Sequence, residues 1–340
     1  NVGEMNEILE FTPSGLYCRE GDFYVDPRRP VKRAVVTHAH ADHAREGSRS
    51  YLCTKDSRGI LQSRLGVETS IETLDYGEVL TVNSVQLSLH PAGHILGSAQ
   101  VKIEHRGNIW VVSGDYKKEY DPTCRPLEHL RCHTFVSECT FGLPIFRWPS
   151  PQKIIEEINA WWQSNRNQKR TSILFAYALG KAQRILADLD RSIGPILTHG
   201  AVEKINQCYR DLDINLPETQ YIGELGKSDL PDGALVIAPT SADNPAWMKR
   251  FPQRSRAFAS GWMRIRGNRR RRSADRGFIL SDHSDWGGLV ETIAASGAEN
   301  IMLTHGYSRE MARWLQERGY NAGVIPTIPD DTVEIDGDAA

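Results

Sequence analysis

The sequence lacks the features that mark membrane, secreted or disulfide-stabilised proteins. No apolar run approaches the roughly 20 residues needed to cross a bilayer, and Asn1 to Leu9 has neither the basic start nor the apolar middle of a signal peptide. Only six cysteines occur among 340 residues, and none forms a C-x-x-C pair. We therefore expect reduced thiols and a cytoplasmic protein. The net charge of -2 still allows a polyanionic substrate, because binding depends on where the positive charge lies.

The pattern of apolar residues changes at Ser150-Pro151. Before this point, short apolar runs alternate with turn residues, which predicts a β-rich segment. Ser150 and Pro151 suit the cap and first position of a helix. Strand and helix patterns then alternate, which is typical of a mostly parallel sheet, so the sequence predicts an α/β protein with a second α/β module.

Three histidines and one aspartate lie within His38-Ala-His40-Ala-Asp42-His43, directly after the predicted strand Arg33–Thr37. In an extended chain, positions i and i+2 project to the same side, so His38 and His40 can bind one metal together. Asp42 and His43 follow where the chain must turn and could face a second metal. Imidazole and carboxylate ligands suit zinc or manganese, and the absence of cysteine favours a hydrolytic site over a structural one. The alternative is an exposed histidine loop without metal.

Three further candidate ligands follow other predicted strands. They are His94, Asp115 and His305. Strand ends gathered at one edge of a sheet commonly assemble a site, and an aspartate can bridge two cations. Each residue taken alone is more often structural than functional. Together with the first cluster, they favour a metal site.

The order of these residues resembles the metallo-β-lactamase superfamily across its first four motifs. The resemblance implies two divalent metal ions, zinc or manganese. His38, His40, His94 and Asp115 would hold one ion, and Asp42, His43, Asp115 and His305 would hold the other. It also implies that Asp26 supports the ligand loop through hydrogen bonds. A turn aspartate before Pro27 is the competing interpretation of Asp26.

Three other residues resemble the β-CASP nucleases within this superfamily. Glu138 in Ser137–Gly142 matches motif A, His283 in Leu280–Asp285 matches motif B, and His305 matches motif C. The resemblance implies a metallo-β-lactamase αββα sandwich with an inserted β-CASP α/β domain. The first part of the sandwich would cover residues 1–144, the β-CASP domain 145–275, and the second part 276–340.

The family resemblance implies a metal-dependent phosphodiesterase. A hydroxide bridging the two metals would be the nucleophile, and the cations would neutralise charge on the phosphate. His283 would act as general acid, with Glu138 holding its tautomer. Asp42 would be both a ligand and part of the catalytic set. A helix-capping or core histidine is the competing interpretation of His283.

Substrate contacts are less specific in the sequence. The arginine run that includes Arg264 and Arg266 lies just upstream of His283 and could grip phosphates, and Lys181 could approach a phosphate near a helix N-terminus. A solvated loop and an exposed helix lysine are equally compatible with these patterns.

The choice between DNA and RNA depends on resemblance alone. A histidine at motif C favours RNA, because many DNA-acting β-CASP members carry valine there. The compact chain, with Phe11–Cys18 ahead of Gly21–Pro27 and with Ser281–Trp286, is more similar to the bacterial ligase-associated DNA exonucleases. This similarity implies an exonuclease on single-stranded DNA in repair, linked functionally to an ATP-dependent DNA ligase. An RNA 3′-end processing nuclease is the alternative.

Overall fold

The computed structural model describes residues 8–226, 229–265, 267 and 274–326. These residues divide into two compact units. The first unit contains the described residues up to Arg147 and those from His283 onwards, and the second contains those from Trp148 to Asp282. The first unit is therefore built from two stretches of chain that the second unit separates in sequence.

The strands are numbered here in chain order. Those before residue 140 are β1 Glu10–Thr12, β2 Gly15–Cys18, β3 Phe23–Val25, β4 Arg33–Val35, β5 Ser50–Thr54, β6 Ile71–Leu74, β7 Val79–Val82, β8 Val85–Pro91, β9 Ala99–His105, β10 Asn108–Val112 and β11 Thr134–Glu138. The later ones are β12 Thr171–Phe175, β13 Ile196–Thr198, β14 Gln220–Tyr221, β15 Leu235–Ala238, β16 Arg254–Ala259, β17 Arg276–Phe278, β18 Asn300–Thr304 and β19 Asn321–Val324.

The α-helices occur mainly after residue 150. They are α1 Arg58–Leu65, α2 Pro151–Asn167, α3 Lys181–Asp188, α4 Gly200–Arg210, α5 Pro245–Met248, α6 Trp286–Ser296 and α7 Ser308–Gln316. The predicted cap of α2 is present, because the Ser150 side chain accepts a hydrogen bond from the Lys153 amide. Among the described residues, no helix combines the length and the apolar character that a membrane span requires.

Two sheets of the first unit pack face to face. Within the described residues, the first sheet has the order β1-β2-β3-β4-β5-β6 and is parallel from β3 onwards. The second has the order β19-β18-β11-β10-β9-β8-β7, antiparallel from β7 to β10 and parallel from β10 to β19. Phe23 and Val35 of the first sheet share an apolar core with Leu87, Val101 and Trp110 of the second.

A second apolar core covers the other side of the second sheet. It joins Val111 and Phe135 to Leu289 of α6 and to Met311 and Leu315 of α7. The helices therefore return the late part of the chain to the same sheet as the early part, and β18 lies directly beside β11. The ends of strands that are far apart in sequence meet at one edge of the sheet as a result.

The second unit contains a parallel sheet with the order β14-β13-β15-β12-β16-β17. Trp161 and Trp162 of α2 are buried against it. The Trp161 ring nitrogen donates to the Ser255 hydroxyl and that of Trp162 to the Gly233 carbonyl. Both indoles therefore satisfy their polar atom inside the core.

The predicted mixed α/β class is confirmed, whereas several individual elements were not predicted. Strands β1, β2, β5, β6, β7 and β11 and helix α1 were missed. In addition, Arg276–Phe278 pairs with β16 in the sheet of the second unit, although the sequence assigned it to the last part of the first domain. The second unit therefore extends to Asp282, because β17 forms the edge of its parallel sheet. The chain re-enters the first unit at His283.

Candidate functional site

The His38–His43 segment forms a loop beyond the end of β4. His38, His40 and His43 are buried, and Asp42 is exposed. The Nε2 atom of His38 lies 3.1 Å from Nδ1 of His40. The two imidazoles, which are two residues apart in the sequence, therefore lie side by side, as the sequence predicts.

His94 and Asp115 complete this first group of side chains. Nε2 of His94 lies 3.1 Å from Nδ1 of His40, and Oδ2 of Asp115 lies 3.5 Å from Nε2 of His38. One ligand atom from each of His38, His40, His94 and Asp115 falls within 4.8 Å of the others, and all four residues are buried. Three imidazoles and one carboxylate converging in this way form a donor set that suits a divalent cation such as zinc.

A second group of side chains also adjoins Asp115. Nε2 of His43 is 3.3 Å from Oδ2 of Asp42 and 3.6 Å from Oδ2 of Asp115. The His43 and His305 rings are 5.3 Å apart between centroids, and His305 is exposed in a left-handed turn with φ of 59°. Among the described residues, the buried Nε2 of His43 has no hydrogen-bond partner of acceptable geometry. A cation at this point would give that nitrogen a partner, so these residues also fit a metal ion.

The pKa values of the clustered side chains are shifted from their usual ranges. Burial, with the neighbouring histidines, holds the pKa of His38 well below its usual range, which keeps the imidazole neutral and its lone pair available. Burial also opposes the charged form of His43, but the carboxylates of Asp42, Asp115 and Asp26 outweigh it and raise the pKa of His43 well above its usual range. Burial raises the pKa of Asp115. A bound cation would offset the cost of these buried carboxylates.

The half-buried His283 and the buried Glu138 form a pair beside Asp115. Nδ1 of His283 lies 3.0 Å from both carboxylate oxygens of Glu138 and 3.9 Å from Oδ2 of Asp115. Glu138 also accepts hydrogen bonds from the backbone amides of Tyr116 and Thr140. Burial opposes ionisation of Glu138, but His283 and these amides lower its pKa. Glu138 is therefore a fixed anion that orients the His283 ring through its Nδ1 atom.

Asp26 lies behind the first loop, in the place expected of a supporting residue. Its carboxylate accepts hydrogen bonds from the amide of Thr37, at 2.8 Å, and from the hydroxyl of Thr37, at 2.6 Å. It also lies 2.7 Å from Nδ1 of His43. It has a φ of 43°, so a turn conformation and a bracing contact coexist at Asp26.

The three predicted substrate contacts belong to the second unit. Lys181 opens α3, and its Nζ lies 3.5 Å from Oδ2 of Asp282. Arg264 is exposed at the end of a short 3-10 turn, Gly261–Arg264. Arg266 lies outside the described residues. Lys181 thus has an anionic neighbour already, which sequence reasoning did not foresee.

The residues that hold the His94 loop were missed from the sequence. The buried Ser98 hydroxyl accepts hydrogen bonds from the backbone amides of His94, at 3.1 Å, and Ile95, at 3.2 Å. On the other side, the fully buried Lys117 forms a 2.7 Å ion pair with Asp121, and its backbone amide donates to the Ala92 carbonyl. A lysine two residues after a candidate ligand in Gly114-Asp-Tyr-Lys117 gives no sign of burial by itself, so no sequence pattern would have found this contact.

Comparison with known proteins gives several relatives, although no family model matches the chain. A probable DNA ligase of Opitutus terrae is 30% identical over 92% of this chain, which spans 30% of that protein. Endoribonuclease YSH1 of Gibberella zeae is 29% identical over 51% of the chain, and the mouse DNA cross-link repair 1A protein is 24% identical over 60%. The chain spans 20% of each of these two proteins.

A solved structure shares the fold. The crystal structure of a protein of unknown function from Enterococcus faecalis superposes with a TM-score of 0.59 and 13% identity, covering 87% of this chain and 79% of that one. At this identity the match concerns the fold alone. The relatives, in contrast, confirm the resemblance to the metallo-β-lactamase/β-CASP nuclease family predicted from the motifs at His38–His43, Glu138 and His283.

Proposed function

We propose that this protein is a metal-dependent nuclease that hydrolyses DNA phosphodiester bonds, acting as an exonuclease on single-stranded DNA in repair. The observation that supports this most directly is the pairing of His283 with Glu138. Nδ1 of His283 also lies 3.9 Å from Oδ2 of the candidate ligand Asp115. A metal site alone would also serve a lactamase or thioesterase. A histidine held by a buried carboxylate beside that site suits a reaction with an alkoxide leaving group, which needs a proton.

The proposed ligand sets follow the two groups around Asp115. His38, His40, His94 and Asp115 would hold one ion, and Asp42, His43, Asp115 and His305 would hold the other, with zinc or manganese as the metals. When bound, two such cations activate water and neutralise charge on the phosphate oxygens. Asp42 contributes to the catalytic set through its 3.3 Å contact with Nε2 of His43.

His283 would supply the proton. Glu138 is ionised and can only accept a hydrogen bond, so Nδ1 of His283 carries a hydrogen. Nε2 is then the nitrogen that can hold and release a second proton towards the departing oxygen. The imidazole is partly exposed, so a substrate oxygen can reach it.

The family assignment also supports a more specific description of the two units. We propose that the paired sheets and flanking helices of the first unit are the αββα sandwich, and that the second unit is the inserted β-CASP domain. The predicted boundaries at 144/145 and 275/276 become about 147/148 and 282/283 if the units are used as domains. Lys181, Arg264 and Arg266 of this domain would bind phosphates of the strand.

The similarity to the Opitutus terrae protein suggests where the activity is used. Its printed name is a probable DNA ligase, and this chain matches a part equal to 30% of it. We propose a functional link between this protein and an ATP-dependent DNA ligase in the cytoplasm. A nuclease that trims strand ends provides ends that a ligase can join.

An RNA 3′-end processing nuclease is the second candidate. Two observations favour it: His305 lies beside His43 at the site, and the Gibberella zeae relative is named an endoribonuclease. Both candidates use the same metal site and the same acid. They differ in the sugar of the strand and in the end at which cleavage starts.

One experiment separates the candidates. Single strands of DNA and RNA of equal length and sequence, labelled at the 5′ or the 3′ end, are incubated with the protein and either manganese or zinc. We expect DNA to be shortened progressively from one end and RNA to be cleaved much more slowly. A strong preference for RNA, or cleavage at internal positions, would contradict the DNA exonuclease assignment.

The control is the Asp115→Ala variant with the same strands. Because Asp115 contributes to both proposed ion sites, this variant should lose both bound metal and cleavage, which elemental analysis and gel electrophoresis measure. Cleavage that persists in this variant would show that a contaminating nuclease is responsible.

A further inference from the structure

We propose that Thr37 is a positioning residue that fixes the tautomer of His38, so that His38 presents the unprotonated Nε2 to the metal. The inference rests on the proposed metal centre, and its test is designed so that the two can fail separately.

Thr37 lies at the end of the strand segment that carries the ligand loop, and its side chain is 1% exposed. Its hydroxyl is within hydrogen-bond distance of three groups: Oδ2 of Asp26 at 2.6 Å, Nδ1 of His38 at 3.1 Å and Nδ1 of His43 at 3.4 Å. A buried hydroxyl must distribute one hydrogen and its lone pairs among these groups.

The distances determine which group donates. A carboxylate can only accept, so the Thr37 hydroxyl gives its hydrogen to Asp26 over the shortest of the three distances. The hydroxyl then has only lone pairs to offer to His38. Nδ1 of His38 must therefore carry the hydrogen and donate it to the Thr37 hydroxyl. The lone pair of His38 is left on Nε2, which lies 3.5 Å from Oδ2 of Asp115, on the ligand side of the ring.

The Asp26 carboxylate also fixes the orientation of His43. Nδ1 of His43 lies 2.7 Å from Oδ2 of Asp26, so it too must donate, and in the neutral ring the lone pair is on the buried Nε2. Asp26 thus orients His43 directly and His38 through Thr37. Two histidines assigned to different ions share one hydrogen-bonding anchor, which is the usual way in which a supporting shell controls ligand tautomers.

The backbone of Thr37 also touches the other ligand-bearing loops. Its carbonyl accepts a 2.7 Å hydrogen bond from the Ala99 amide, at the end of the loop that carries His94. A Cβ at Gly114, next to Asp115, would lie 2.6 Å from Cβ of Thr37. The threonine is therefore enclosed on several sides, and its side chain cannot turn away from His38 without disturbing its neighbours.

The test compares Thr37→Val, which keeps the shape and removes the hydroxyl, with Thr37→Ser, which keeps the hydroxyl. Zinc affinity is measured by competition with a chromophoric chelator. In metal-free protein with nitrogen-15 labelled histidines, two-bond proton–nitrogen correlation shows which ring nitrogen carries the hydrogen, with His38→Gln used to assign the signal. Thr292→Val is the matched control, because Thr292 is also buried and its hydroxyl has no partner among the described residues.

We expect Thr37→Val to lose about 10- to 100-fold in zinc affinity and to lose the pure Nδ1–H tautomer of His38. Thr37→Ser and Thr292→Val should match the wild type in both measurements. Wild-type affinity and tautomer in Thr37→Val would overturn the proposal. Weak zinc binding by a folded Thr37→Ser would also overturn the proposal, whatever the result for Thr37→Val. If the wild type itself binds no zinc, the proposed metal centre fails instead.

Discussion

At the scale of single residues, the site depends on which nitrogen of each imidazole carries a hydrogen. Asp26 and Glu138 both act as fixed acceptors, the first behind the ligand loop and the second behind His283. In each case the anchored nitrogen is Nδ1, which leaves Nε2 to face the reaction. Under the proposed function, the same arrangement would serve a metal ligand at His43 and a proton donor at His283.

Replacing the proposed acid should stop turnover without removing the metal. His283→Gln should lower kcat by about 10²- to 10⁴-fold, because the leaving oxygen then departs without a proton. Metal content, measured by elemental analysis, should be unchanged. His129→Gln, an exposed histidine of the same unit, is the control and should cleave like the wild type. Unchanged cleavage by His283→Gln would remove this residue from the reaction.

At the scale of elements, loops between strands place the ligands, and glycines let those loops turn. The loop between β8 and β9 carries His94 and turns at Gly97, with φ of 77°. The carbonyl of Gly97 accepts hydrogen bonds from the hydroxyls of Thr54, at 2.7 Å, and Ser57, at 3.0 Å. This loop is therefore fixed by the end of β5 and the turn after it, neither of which carries a proposed ligand.

Two glycine variants distinguish the cost of a positive φ from the cost of close contact between Gly97 and Ser57. Gly97 and Gly107, the two positions to be changed to alanine, have nearly the same φ, 77° and 79°. The new Cβ at Gly97 would collide with the backbone of Ser57, whereas that at Gly107 would meet nothing within 4 Å. Gly97→Ala should therefore be less stable than Gly107→Ala by about 1–3 kcal/mol in urea unfolding, and it should bind zinc more weakly. Equal losses in the two variants would contradict a close approach at Gly97.

The second unit offers a prediction about pH. Glu203 of α4 accepts hydrogen bonds from Thr198 and Thr219, each at 2.6 Å, and pairs with Arg210 at 2.7 Å. Burial opposes ionisation, but these three partners lower the pKa of Glu203 in the folded protein. Its stabilising contribution is therefore fully present above the usual pKa of a glutamate, and it is lost as the pH falls through the lower pKa of the folded state.

We expect Glu203→Gln to lower the free energy of unfolding by about 1–2 kcal/mol at pH 7. The difference from the wild type should shrink towards zero as the pH falls through the lowered pKa of Glu203 in the folded state, because the wild-type carboxyl then becomes neutral too. Urea unfolding followed by circular dichroism from neutral to acidic pH measures both. Glu218→Gln, at an exposed position, should change little at any pH. A deficit that stays constant down to the lowest pH at which the wild type folds would assign the effect to shape rather than to charge.

At the scale of the whole molecule, metal should stabilise the folded state. An ion that binds only the folded chain raises its stability in proportion to the logarithm of its concentration. We expect a chelator to lower the Tm and zinc to restore it. Asp115→Asn should respond much less to zinc, yet its metal-free form should unfold no earlier than the metal-free wild type, because burial disfavours the Asp115 carboxylate. Differential scanning fluorimetry measures all four states, and an equal zinc response in both proteins would contradict the ligand role.

The parts that could be predicted from sequence were those encoded over short spacings. The His38–His43 cluster, the Ser150 cap of α2 and the strand ends at His94, Asp115 and His305 all follow from local patterns. The supporting contacts of Ser98 and of the Lys117–Asp121 pair could not be predicted, because they depend on burial and on turns that only the folded chain fixes. Short strands such as β1 and β2, in which all residues except the buried Cys18 are half-buried, carry too little periodicity to be recognised.

The split of the first unit has a consequence for synthesis on the ribosome. The ligands from His38 to Asp115 precede the second unit in the chain, whereas His283 and His305 follow it. At the usual rate of about 5–20 residues per second, roughly 10 to 40 s pass between translation of Asp115 and of His305. During that interval the nascent chain lacks both the proposed proton donor and one proposed ligand. A ribosome-bound chain would therefore lack the proposed nuclease activity until His305 has been made.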